Sequence, residues 1–72
     1  MREYTIVVTR EDDAYIVDVP ALPGCHTYGH TPEEALANAR EAIELYLEDL
    51  RESGEPVPED VQVQTEKIRV AA

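Results

Sequence analysis

The stretch "VPALPGCHTYGHTPEEA", Val19 to Ala35, decides how this chain folds. Two kinds of punctuation stand close together in it. Pro23-Gly24 fits the central positions of a type II turn, because proline presets the first dihedral and glycine supplies the positive one. A few residues on, Thr31-Pro32-Glu33-Glu34 reads as a helix start. Threonine caps free N–H groups, proline suits the first helical position, and Glu34 completes a capping box. Glu33 and Glu34 also sit at the positive end of the helix dipole. Between turn and cap, residues 25–29 suit one short strand, closed by Gly29. Upstream sequence must then supply that strand's partners, and downstream sequence a helix.

Both are there. Residues 3–10 are rich in β-branched side chains, with Tyr4, Ile6 and Val8 in one phase and Thr5, Val7 and Thr9 in the other. Acidic Glu11 to Ala14 suits a hairpin turn, and residues 14–19 alternate again until Pro20, which cannot donate to a ladder. Downstream, the spacing predicts a helix over residues 32–53, with Gly54 as its C-cap and Pro56 and Pro58 forbidding continuation. Ala35, Leu36, Ala39, Ala42, Ile43, Tyr46, Leu47 and Leu50 make one apolar arc. Glu34, Glu41, Glu44, Glu48 and Glu52 face the other way, with Leu45 among them. Residues 61–70 read as a last strand whose apolar positions switch from Val61 and Val63 to Ile68 and Val70, which implies a bulge or an end to regular pairing near Thr65 to Lys67. The expected fold is a single α+β domain over residues 1–72, in the order β-β-β-α-β: an antiparallel sheet packed on one long helix, with the fourth strand returning to it.

The totals bound the function. Seventy-two residues hold one small core, and one cysteine makes no internal disulfide. Sixteen acids against six bases give a net charge of −10, the wrong sign for nucleic acid or an anionic membrane and the right one for a basic protein partner. No apolar run approaches the roughly 18 residues that span a bilayer, and the N-terminus has no signal-like apolar region; a cytoplasmic protein is expected. A two-fold homodimer is also expected, because so small a domain has little core and open sheet edges. The candidate contacts are Val61 to Val70 and Leu45.

Cys25, His26 and His30 invite a chemical reading. A structural zinc site needs four converging ligands, and neighbouring strand residues point to opposite faces. A nucleophilic cysteine needs a histidine held against it, which the same geometry denies to Cys25 and His26. Cys25 is therefore expected to be a buried, unreactive hydrophobe. Asp12, Asp13 and Asp18 are oxygen ligands of the kind a divalent cation takes, but turn and surface roles account for them better. No catalytic residue, cofactor or metal is expected.

Together, "YTIVV", "DDAYIVDVPALPGCHTYGHTPEEALANAREAIELYLEDL" and "GEPVPE" resemble the HicB family of antitoxins over about residues 3 to 60. The shared motif is P-x-L-P-G-C, a glycine, T-x-E-E-A and a long helix, after which Glu55-Pro56-Val57-Pro58 stands where the family has E-x-P-x-P. It falls on Pro20, Leu22, Pro23, Gly24, Cys25, Gly29, Thr31, Glu33, Glu34 and Ala35, all with fold-forming roles. The resemblance implies a partly degraded RNase H-like fold and a type II antitoxin that blocks the active site of a small, basic, RNA-cleaving toxin of the HicA type. The acidic helix face (Glu41, Glu44, Leu45, Glu48, Glu52) is the candidate partner surface. Only about a dozen strand-like residues follow Pro58, so the DNA-binding segment usual in that family is not expected. An oligomeric adaptor without a toxin, or a remnant metal-dependent ribonuclease using Asp18, are the alternatives.

Overall fold

Alternating β-branched residues bring the first two strands together. In the computed structural model, which describes residues 2–72, β1 (Val7–Glu11) and β2 (Ala14–Asp18) form an antiparallel hairpin closed by Asp12-Asp13. Asp12 takes a positive φ of 53°, a conformation that aspartate tolerates better than most residues. β3 (His26–Gly29) pairs antiparallel with the other edge of β2, so the sheet order is β1-β2-β3. The connection from β2 to β3 is two successive tight turns. Leu22 N–H donates to the Val19 carbonyl at 3.0 Å, and Cys25 N–H to the Leu22 carbonyl at 2.9 Å. Gly24, at φ 81°, is the left-handed residue of the second turn, as a type II turn requires.

The helix, α1 (Pro32–Glu52), starts where the capping residues stand. Glu34 N–H donates to the Thr31 hydroxyl at 3.1 Å, while the Glu34 carboxylate accepts from His30 N–H at 3.3 Å. The reciprocal half of the box thus reaches one residue before the cap. At the other end Gly54 N–H donates to the Arg51 carbonyl and Glu55 N–H to that of Leu50, a Schellman closure with Gly54 at φ 70°.

One face of the sheet packs on α1. Val17, Ala35 and Ala39 make one cluster; Val19, Leu22, Cys25 and Leu47 make the other, with Tyr4, Ile6, Tyr46 and Val57 against it. Val17 and Leu22 are fully buried, each contributing about 1.5–3 kcal/mol of transfer free energy. Two side chains tie helix to sheet: Tyr46 hydroxyl donates to the Pro23 carbonyl at 2.9 Å, and Asn38 to the Tyr28 carbonyl at 2.8 Å.

Three expectations need correction. Residues 61–70 form no strand: they are exposed and lie outside the three-stranded sheet, pairing with neither of its open edges. The ladder of β1 begins at Val7 instead of residue 3, since β2 ends at Asp18, its register partner. Leu36, placed in the apolar arc, is 52% exposed, because a three-stranded sheet is too narrow to reach under it. The three-strand topology lends no support to the RNase H-like arrangement.

Candidate functional site

The exposed side of α1 is built by helical periodicity. Glu41, Glu44, Leu45, Glu48 and Glu52 are all exposed, and Leu45 stands 56% open among the carboxylates. Spacings of three and four residues put these like charges beside one another along the stripe, and each such pair destabilises a helix by about 0.2–0.5 kcal/mol. A cationic partner would relieve that repulsion and cover Leu45 in one step.

A second feature was not legible in the sequence. Between the N-terminal segment and α1 lies an open groove of about 1080 Å³. Tyr4, Ile6, Leu36, Ala39, Ile43 and Leu47 give it an apolar floor. The chain beyond the helix closes one margin: Tyr4 hydroxyl donates to the Pro58 carbonyl, and Thr5 grips Asp60 through its N–H at 2.9 Å and its hydroxyl at 2.8 Å. These two bonds hold the Asp60 carboxyl below its ordinary pKa, by stabilising the charged form. The groove depends on sheet width, which periodicity does not report. Nothing in the helical pattern singles out Leu36 from its neighbours.

The cysteine-histidine stretch comes apart in space. Cys25 is 7% exposed among Val19, Leu22 and Leu47, and burial pushes its thiol up from the ordinary value. His26 is exposed, directly across from Asp18 in the β2–β3 register. His30 stacks edge-on against Tyr28 with ring centroids 5.9 Å apart. Among the described residues no group of three or more His, Cys, Asp or Glu side chains is placed to hold a metal ion. Gly29 is where helix meets sheet: a Cβ there would lie 2.4 Å from the Ala35 backbone nitrogen.

The fold and its surfaces define a small α+β protein that presents an acidic helix face beside an apolar groove. The family model described as "HicB_like antitoxin of bacterial toxin-antitoxin system" matches residues 4–70, and the chain belongs to that family. It is 49% identical over 59 residues to a UPF0150 protein of Thermoplasma acidophilum, covering 81% of this chain and 86% of that one. To a UPF0150 protein of Synechocystis it is 47% identical over 58 residues, covering 79% of this chain and 73% of the relative. A UPF0150 protein of Archaeoglobus fulgidus is 47% identical over 47 residues, covering 64% and 68%. No solved structure matches. Membership in an antitoxin family points to a toxin partner and a non-catalytic role. No helix is long and apolar enough to cross a membrane among the described residues.

Proposed function

We propose that this chain is the antitoxin of a toxin-antitoxin pair, acting in the cytoplasm as a homo-oligomer. It neutralises a small, basic, RNA-cleaving toxin of the HicA type by covering its active site. The family match over residues 4–70 carries the reading. The acidic stripe supports it physically. A toxin that grips RNA presents cations to phosphates, and Glu41, Glu44, Glu48 and Glu52 offer carboxylates at helical spacing in their place. Leu45 supplies the apolar contact that gives such a face specificity beyond charge.

Co-purification from the native source under mild salt tests the pairing. A stoichiometric basic protein whose ribonuclease activity appears only after separation is expected. Reversing the four glutamates to lysine should abolish its capture while the far-UV circular dichroism stays unchanged. Purification without any basic partner would remove the reading, and undiminished capture by the reversed chain would remove the acidic face from it.

A further inference from the structure

Residues 61–70 are extended, exposed and unpaired, yet they are not composed like a solvated tail. Val61, Val63, Ile68 and Val70 are 42%, 42%, 84% and 73% exposed, and β-branched side chains of this kind belong in sheets. The segment makes the molecule elongated. Its extents are 48 × 25 × 20 Å and its radius of gyration is 14.2 Å, against about 11 Å for a compact chain of this length. The groove beside the N-terminal segment lacks a cover. Leu36 stands half-exposed there, and Val8 on the edge strand β1 is 47% exposed.

We propose that residues 61–70 are an arm exchanged between two copies of this chain, each arm lying in its partner's groove between the N-terminal segment and α1. This rests on the homo-oligomeric part of the preceding reading and supplies its contact. The groove takes most of the arm: from Leu36 to Arg51 its helix side is about 22 Å long, room for about seven extended residues of the ten in residues 61–70. The chemistry agrees too. Strand addition along the unpaired edge satisfies backbone groups of both chains, and alternate arm side chains meet the apolar floor. The groove carries four acids, Glu3, Glu44, Glu59 and Asp60, beside three bases, Arg2, Arg40 and Arg51. Its net charge is slightly negative, and the charge of the chain as a whole favours the pairing. Through residue 60 the chain has fifteen acids and four bases, whereas the arm has one acid, Glu66, and two bases, Lys67 and Arg69. The arm is the cationic piece of an acidic protein. Its root, held by Thr5 at Asp60, sits on the groove margin, where an arm must leave its own chain to reach a partner's groove.

Two full-length variants test this: an arm variant, Val63→Asp with Ile68→Asp, and a groove variant, Leu36→Glu. All three positions are more than two-fifths exposed in the single chain, so each variant should fold, with circular dichroism as the check. Sedimentation and native mass spectrometry are run at tens of micromolar, at low and moderate salt. Wild type is expected at about twice 8.1 kDa, with association tightening as salt screens the net charge. Each variant alone should dissociate about ten- to a hundredfold more readily. Mixed, they should form a heterodimer more stable than either homodimer, because one intact arm meets one intact groove. A monomeric wild type overturns the arm and the homo-oligomer together. A dimer indifferent to both variants overturns the arm alone. Variants that are monomeric alone and give no heterodimer on mixing overturn the exchange.

Discussion

Replacing Gly29 by alanine should be among the most damaging single-methyl changes available to this protein. The new Cβ would lie 2.4 Å from Ala35 N, 2.8 Å from Ala35 Cα and 2.9 Å from the Glu34 carbonyl carbon. All three are backbone atoms of the first turns of α1, so no rotamer change relieves the clash. Ordinary contact begins near 3.4 Å, so the helix start must retreat by about 1 Å. Ala35 and Ala39, 1% and 2% exposed, would then lift off Val17. Overpacking costs about 1–3 kcal/mol, and backbone rigidity puts this case at the upper end. Lower unfolded-state entropy returns about 0.4–1 kcal/mol, leaving a net loss of about 2 kcal/mol. At about 4–8 °C per kcal/mol, Tm should fall by about 8–16 °C. Urea and thermal melts followed by circular dichroism, at one protein concentration, measure it. Gly24→Ala is the comparison: nothing lies within 4 Å there, and only the left-handed backbone at φ 81° opposes the change, at about 1–2 kcal/mol. A Gly29→Ala protein within about 0.5 kcal/mol of wild type, the range of an ordinary surface change, would refute the close-approach argument.

Other consequences follow from the same contacts. Because the Thr5 hydrogen bonds depress the folded-state pKa of Asp60, its contribution is present above the unfolded carboxylate range and is lost as pH falls through the folded value. Asp60→Asn should therefore lower the urea midpoint at pH 7, by a margin that shrinks as the medium is acidified through the carboxylate range; a margin that does not change with pH would exclude the charged tether. Cys25 should react with a thiol reagent on the order of a hundredfold more slowly in the native protein than in urea, since the reagent must wait for an opening; equal rates would mean that the pocket stands open. Thr31→Ala removes the hydroxyl that accepts from Glu34 N–H and should cost about 1 kcal/mol in chemical denaturation, whereas Thr31→Ser should cost almost nothing. Leu22→Ala, emptying a fully buried position, should cost about 2–5 kcal/mol; a cost under 1 kcal/mol would contradict its place in the core.

Local chemistry was readable directly because it acts over a few residues. Pro23-Gly24 places a positive φ where only one turn type accepts it, and Thr31 to Glu34 satisfies helix donors within a single turn. Gly54 ends α1 for an equally local reason. The acidic stripe from Glu41 to Glu52 is likewise a matter of helical period. Tertiary structure decided the rest. Gly29 looks in sequence like a strand terminator, whereas its role is to let the backbone at Ala35 approach the sheet. Leu36 lies on the same apolar arc as Leu47, yet one is exposed and the other buried, because helical period reports direction and not the width of the sheet beneath. Val61 to Val70 has the composition of a strand, but a strand is defined by its partner. β-Branched residues favour an extended backbone, and only the placement of an open edge determines whether that backbone is paired within one chain or left free for another.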